Sequence, residues 1–279
     1  MDTEVLRTFL EVNRTRHFGK AAENLFVTQS TVSARIRLLE EAVGGEVFTR
    51  SRNDIQLTDI GQRLIHYSES ILMTWNRARQ ETAVHDESGI FLTVAGMTSL
   101  WDIILQDWLN ETGRKYKDIT LRTEVLGFEA IQRRLSEGTL DLAFVFDTPM
   151  SWEHNVVEVA RLPFIMVSSR ENLSVDEAIA GNYIMVDWGT SFSVAHAKHF
   201  PELGAPVFYA GLGRIAHNYL LSCGGTAYLA EGMVRQSVSE KKLFPVANAP
   251  VIERIAYAVY PEDKDKQQAI KNLLSYFEK

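Results

Sequence analysis

Phe18-Gly19-Lys20-Ala21-Ala22-Glu23-Asn24-Leu25-Phe26-Val27-Thr28-Gln29-Ser30-Thr31-Val32-Ser33-Ala34-Arg35-Ile36-Arg37-Leu38-Leu39-Glu40, running on to Phe48-Thr49-Arg50, is the stretch that decides how this chain is read. It reads as two short helices joined by a tight turn. Thr28 is a good N-cap for the second of them, and Gly44-Gly45 stops it after about Val43. At about 100° per residue, Val32, Ile36, Leu39 and Val43 share one buried stripe. Ser30, Ala34 and Arg37 then point the opposite way, with Thr31 and Ser33 on the flanks. A helix pair that buries one stripe and turns small polar and cationic groups outward has the shape of a DNA-reading element.

Working outward, Asp2 or Thr3 caps a first helix to about Arg14, with Leu6, Phe9 and Leu10 at helical spacing. After the pair, Glu46–Arg50, a polar turn at Ser51-Arg52-Asn53-Asp54, and Ile55-Gln56-Leu57 read as a small hairpin, which completes a winged helix-turn-helix. Thr58-Asp59 opens a long helix to about residue 82. Ile60, Leu64, Tyr67, Ile71, Trp75 and Ala78 recur along it at spacings of three and four, a stripe suited to pairing with a second copy of the chain. His85-Asp86-Glu87-Ser88-Gly89 is a polar break. Beyond it, short apolar runs such as Ile90–Ala95, Ile119–Val125, Leu140–Phe146, Tyr183–Val186 and Thr226–Ala230 alternate with helices, which predicts an α/β domain with a largely parallel sheet.

Composition bounds these readings. A chain of 279 residues, 46% hydrophobic with 7 Pro and 17 Gly, has ordinary globular composition and room for two folding units at about 100–200 residues each. No apolar run approaches the roughly 18 residues of a membrane span, and residues 1–20 are too charged for a secretory signal, so a cytoplasmic location is expected. The single cysteine, Cys223, excludes an internal disulfide and is expected to be a buried small apolar residue rather than a redox sensor. Residues 1–83 carry 11 Lys/Arg against 11 Asp/Glu. Any basic footprint must therefore come from the placement of a few cations, not from net charge.

With Leu6-Arg7-Thr8-Phe9, Phe18-Gly19-Lys20-Ala21-Ala22, Thr28-Gln29-Ser30, Val32-Ser33, Leu39-Glu40, Phe48-Thr49-Arg50 and Leu57-Thr58-Asp59-Ile60-Gly61 in order and at the right spacing, the chain resembles the LysR-type transcriptional regulators along its full length. Its opening residues 1–12 and 15–19 resemble in particular the HdfR-like members, associated with control of flagellar genes. The resemblance implies a DNA-binding head over residues 1–58, a linker and dimerisation helix with a hinge over 59–88, and an effector-binding domain over 89–279. That last domain would have a periplasmic-binding-protein-like fold of two subdomains, about 89–161 with 261–279, and about 162–260. Crossover strands at Val156–Val167 and Glu253–Tyr260 would connect them. It also implies a small-molecule effector in the cleft, double-stranded DNA as partner, and a homodimer or homotetramer, with RNA polymerase as a further partner left open.

The residues expected at DNA are Thr28, Gln29, Ser30, Thr31, Ser33, Ala34, Arg35 and Arg37 on the reading helix, with Arg50 and Arg52 in the wing. Two positions in this region depart from the pattern of many relatives. Ala34 stands where they carry Arg, with Arg35 one step further round, and Asn53 stands where they carry a wing Arg, with Arg52 beside it. An operator sequence cannot be borrowed across such changes. The effector is expected at loops following strands, where open α/β sheets take ligands: Met97, Thr98 and Ser99; Gly127 and Phe128; Phe146; and Trp188, Thr190 and Ser191. The dimer is expected along Ile60, Leu64, Tyr67, Ile71 and Trp75.

Other constellations are thin. His196 and His199 are three apart without an evident third ligand, so no metal is expected. Asp141 and Asp147 form no visible acid/base set, and there is no phosphate loop or nucleophile elbow. Neither a cofactor nor an enzymatic activity is expected. The alternative to a DNA-binding regulator is a cytosolic small-molecule sensor that acts through protein partners with no DNA role.

Overall fold

Asp2 accepts a hydrogen bond from the Glu4 amide and opens helix α1 (Thr3–Thr15), which buries Leu6, Phe9 and Val12. In this computed structural model, which describes residues 2–51, 54–83, 89–146, 154–263 and 265–278, the chain divides into two compact units, 1–86 and 87–279. In the first, α2 (Phe18–Asn24) is capped by His17, whose Nδ1 accepts from the Gly19 and Lys20 amides. Thr28 caps α3 (Gln29–Val43), and Gly44 ends it at φ +76°. Val32, Ile36 and Leu39 are fully buried against α1, as their spacing predicts. The wing is a hairpin of β1 (Phe48–Ser51) and β2 (Asp54–Leu57), registered from Phe48 opposite Leu57 to Ser51 opposite Asp54. Helix α4 (Asp59–Ala83) follows. Leu64, Ile65 and Leu72 of α4 pack against the core of this unit, which binds the base of the long helix to the head.

The second unit is built on one nine-stranded sheet. Its first half holds β3 (Ile90–Gly96), β4 (Ile119–Val125) and β5 (Leu142–Phe146), with β3 parallel to both neighbours. Helix α5 (Thr98–Leu100), a π-helical turn (Trp101–Leu105) and α6 (Gln106–Lys115) run on from one another after β3, and α7 (Phe128–Ser136) follows β4. A long strand, β6 (Asn155–Ser168), carries the chain across. The other half holds α8 (Val175–Ala180), β7 (Tyr183–Val186), α9 (Thr190–His199), β8 (Phe208–Ala210), α10 (Gly213–Cys223), β9 (Thr226–Ala230), α11 (Glu231–Ser239) and β10 (Phe244–Pro245). Here β7 is parallel to β8 and β9. Strand β11 (Ile252–Tyr260) returns antiparallel to β6 from Ile252 opposite Phe164 to Tyr260 opposite Asn155. The C-terminal helix α12 (Gln267–Leu274) rejoins the first half, where Trp108 Nε1 donates to the Leu273 carbonyl at 3.0 Å.

The sheet is therefore mixed rather than largely parallel. The two parallel halves conform to the expectation, and the antiparallel pairs come from β6, β10 and β11. Two strands that each cross between the halves once, in opposite directions, must lie antiparallel to each other. Asp141, at the entrance to β5, accepts from the Thr93 amide at 2.8 Å and pairs with Lys266 at 3.1 Å. That buried carboxylate anchors the C-terminal segment to the first half. Cys223 is exposed at the end of α10, not buried as its residue type suggested, because the stripe that α10 buries is Gly213, Ala216 and Leu220.

Candidate nucleic-acid interface and ligand cleft

The ion pairs of the head gather on α1. On α1, Glu4 pairs with Arg7 at 2.8 Å and Glu11 with Arg14 at 2.6 Å, which neutralises that helix within itself. Arg35 does not join the reading face. It donates to Thr8 Oγ1 at 3.2 Å and lies 3.5 Å from Glu4, because its position on α3 looks toward α1 and the carboxylate there attracts it. Arg37, by contrast, is exposed and forms no ion pair among the described residues. Lys20 is exposed on α2. Lys20 and Arg37 thus offer two exposed cations on the α2–α3 side.

Along that face, Gln29, Ser30, Ala34 and Arg37 are exposed and Thr31 and Ser33 half-buried. Gln29 comes near Gly19 of α2, so the two helices meet at the start of α3. Thr28 Oγ1 accepts from the Thr31 amide and lies 2.8 Å from both the Ser30 and Thr31 hydroxyls. These three hydroxyls thus cap the helix while remaining at its entry. Ala34 offers no polar atom; Thr28, Gln29, Ser30, Ser33 and Arg37 carry the polar groups of this face suited to base edges or phosphates. Arg50 lies on β1 of the wing; Arg52 lies outside the described residues.

On α4, Ile60, Tyr67, Ile71 and Trp75 are 39%, 59%, 45% and 48% exposed. Leu64 belongs to the same stripe by spacing, yet it is half-buried against the core of its own head. It faces inward because the first turns of α4 lie on that core. The four exposed side chains form an apolar row that nothing in the chain covers among the described residues.

In the second unit the loops at the carboxyl ends of the strands come together. Met97 and Ser99 are half-buried and Thr98 exposed at the start of α5; Gly127 is exposed and Phe128 half-buried before α7. Phe146, at the end of β5, is 2% exposed. Trp188 does not line an open rim as expected. It is 2% exposed, its Nε1 donates to the Tyr228 carbonyl at 2.8 Å, and its ring stands 4.7 Å from Phe164. The six-membered edge of its ring fills the space beside Gly213, where any Cβ would collide with it. Thr190 and Ser191 are exposed, and they border an open depression of about 560 Å³ with Val194, Lys198 and His199 on the outer side of α9.

Three residues outside the sequence reading belong to this cleft. Asp102, in the π turn of the first half, forms an ion pair with Arg214, in the first turn of α10 of the second half. The pair bridges the two subdomains, and Asp102 sits on a π segment of the kind often found at functional sites. Arg254 of β11 donates to the Trp188 carbonyl and lies over the Phe146 ring. Alternation along β11 contained the signal for it. Ile252, Arg254, Ala256 and Ala258 share one buried face, so a cation fell among apolar inward positions.

His196 and His199 diverge. His196 is buried, with Nε2 2.6 Å from the Tyr183 hydroxyl and its ring among Phe192, Phe200 and Tyr228; His199 is exposed. Among the described residues, no three His, Cys, Asp or Glu side chains gather as metal ligands. Burial, aided by the nearby His199 charge, holds His196 below the ordinary histidine range, and burial does the same to His217. Below pH 6.5 the unfolded chain binds these protons and the folded one resists them. Stability is therefore present above about pH 6.5 and falls as pH drops, by up to about 1.4 kcal/mol per pH unit for each group. Urea melts at pH 7.5 and 5.5 should show that loss, and His196→Phe should shrink it; an unchanged pH dependence in the variant would refute the role of His196.

Comparison with known proteins bears on both units. Residues 3–62 match the model of the bacterial regulatory helix-turn-helix protein, lysR family, and residues 91–279 match the LysR substrate binding domain. The chain is 34% identical over 286 residues to the HTH-type transcriptional regulator HdfR of Yersinia enterocolitica, covering 98% of this chain and 95% of that one. It is 34% identical over 283 residues to the HdfR of Yersinia pestis strain Pestoides F, again covering 98% and 95%. Among solved structures, full-length CbnR complexed with its target DNA superposes with a TM-score of 0.76 at 15% identity, over 100% of this chain and 99% of that chain. Vibrio fischeri DarR in complex with DNA gives 0.61 at 19% identity, over 98% of each chain.

Proposed function

Since the chain belongs to the lysR family and is a DNA-binding transcriptional regulator with an effector-binding domain, we propose that each head lays the Gln29–Arg37 face of α3 in a major groove. Thr28 and the wing arginine Arg50 hold phosphates beside it. Two chains pair along the exposed row of α4, as a homodimer or as half of a homotetramer, so that two heads address two half-sites. A small molecule in the cleft shifts the population of head arrangements and so switches operator binding. The protein works in the cytoplasm, and contact with RNA polymerase follows if it activates. Its targets lie among flagellar or metabolic genes.

The observation that carries the DNA-reading part is the placement of two exposed cations, Arg37 and Lys20, on the α2–α3 face of a head of zero net charge. Acidic groups are engaged on α1, while Arg37 and Lys20 stay uncommitted beside the polar entry of α3. Such binding is electrostatic and releases counterions. A gel-retardation titration on an operator recovered from a genome-wide binding map should lose about 10³-fold in affinity between roughly 50 and 200 mM salt, the drop expected for six phosphate contacts. Salt-independent or absent retardation would return the chain to a sensor that acts through protein partners.

A further inference from the structure

The Asp102–Arg214 ion pair joins two closely packed platforms, one in each subdomain. In the first, the π turn Trp101–Leu105 is seated on the last residue of β3. A Cβ at Gly96 would stand 2.4 Å from Leu105 Cδ1 and 2.8 Å from Trp101 Nε1, and that nitrogen donates to the Glu124 carbonyl at 3.1 Å. In the second, the first turn of α10 is pressed on Trp188, which leaves no room for a Cβ at Gly213. Helix α11 approaches the π turn from the same side. The chain joins the platforms through β6 and β11, and the ladder between these strands slips at one place. Ala256 faces Ala160 and Tyr257 faces Glu158, so Val159 is bulged. Ala256 and Tyr257 begin the stretch of β11 that pairs with β5 of the first half, and β6 pairs with β9 of the second half further on, at Phe164–Ser168. A bulge between the two attachments bends and twists the crossover locally.

Neither charge is explained by its own helix. No cation lies three or four residues from Asp102, and no carboxylate three or four residues from Arg214, so neither has an opposite charge at helical spacing. Arg214 also lies in the first turn of α10, where the helix dipole disfavours a cation. The Asp102 side chain is 13% exposed, and a carboxylate so far out of water needs a partner. The one it has comes from the other subdomain, 112 residues along the chain. Arg214, at 67% exposed, keeps much of its hydration. Such a pair can be broken and remade, whereas separating a fully buried pair strands a charge out of water.

We propose that the Asp102–Arg214 pair is an electrostatic latch across the cleft, and that the two subdomains part about the bulged crossover at Val159 when it opens. Losing the pair shifts the ratio of closed to open molecules about fivefold, the upper end of what a largely exposed ion pair contributes. Salt competes for both charges, so the closed population falls as ionic strength rises. The latch guards the cleft read above as the effector site. Its test follows subdomain separation alone, so either reading can fail without the other.

The test measures distances between spin labels in the full-length protein by pulsed dipolar spectroscopy. Labels are placed through Gly127→Cys and Ser191→Cys, both at exposed positions and one in each subdomain, with the exposed native thiol removed by Cys223→Ser. Labelled chains are diluted into excess unlabelled chain, so that each assembly carries one labelled copy. Asp102→Asn and Arg214→Gln should each raise the long-distance population about fivefold relative to the short one. About 1 M salt should do the same to the unaltered pair and add nothing in Asp102→Asn. Asp102→Arg combined with Arg214→Asp rebuilds the pair in reverse and should restore the short distance. Single variants that keep the distribution of the unaltered pair, a distribution indifferent to salt, or a reversed pair that stays open would each overturn the latch. If Asp102→Asn fails to fold, Arg214→Gln carries the test, because it alters a largely exposed side chain.

Discussion

Replacing Arg37 by alanine is expected to abolish specific operator retardation while leaving the melting curve of the protein in place. The residue is exposed and forms no ion pair among the described residues, so little native contact is lost. Each good contact from such a side chain to a guanine edge is worth about 1–3 kcal/mol. A dimer places two copies on the operator, which makes the loss about 2–6 kcal/mol, or roughly 30-fold to 10⁴-fold in affinity. If Arg37 instead meets a phosphate, affinity falls uniformly across sequences and the slope of log affinity against log salt drops by about one per contact. Arg35→Ala is the control, two residues away. It removes the bridge from α3 to Thr8 and Glu4, so it should lower the melting temperature slightly and leave the salt slope alone. Retained retardation in Arg37→Ala, measured with the operator at physiological salt, would show that α3 does not read DNA through this face.

Most of the head was legible because its signals are local. Asp2, Thr28 and Gly44 mark helix ends through their own backbone chemistry, and Val32, Ile36 and Leu39 declare a buried stripe by spacing alone. What spacing could not show is the rotation of a long flexible side chain toward a charge. Arg35 lies on the flank of α3, and Glu4, 31 positions earlier, decides that it points inward. Leu64 was misplaced for a similar reason. A helix that packs on one body near its base and is exposed further along has a single stripe in the sequence, with nothing to mark where one partner gives way to the next. His17 is a third case, since an imidazole accepting two amide hydrogen bonds is a rare N-cap.

In the second unit the alternation of strands and helices fixed the architecture. The site depends on residues far apart in sequence. Asp102 and Arg214 meet because the helices after β3 and β8 start at facing edges of the cleft. Trp188 was expected at the rim because large aromatics in such loops are commonly exposed to ligand. The ring is drawn into the core by the Tyr228 carbonyl and by the gap that Gly213 leaves. An indole N–H that finds a buried carbonyl gains more from burial than from the rim. The same displacement puts the Trp188 carbonyl against Arg254, which donates to it.

Substituting glutamate for both Tyr67 and Trp75 is expected to separate the chains. These two residues are the most exposed of the apolar row on α4, at 59% and 48%, and they lie on one side of the helix with Ile60 and Ile71. Fully burying side chains of this size is worth about 1.5–3 kcal/mol each, and a symmetric pair buries each residue twice. Two carboxylates facing their own copies across a pairing helix reverse that gain and add like-charge repulsion. The row is not part of the head's own core, so the monomer should stay folded, with an unchanged far-ultraviolet circular dichroism spectrum. The effect on DNA binding then follows from linkage. A dimer that has placed one head supplies the second at high effective concentration, and losing that advantage lowers operator affinity by about 10²–10⁴-fold. Sedimentation equilibrium at micromolar chain and gel retardation on the same samples test both steps. A variant that remains a dimer places the interface elsewhere. If it becomes a monomer yet binds the operator at wild-type affinity, pairing along α4 is not what joins the two half-sites.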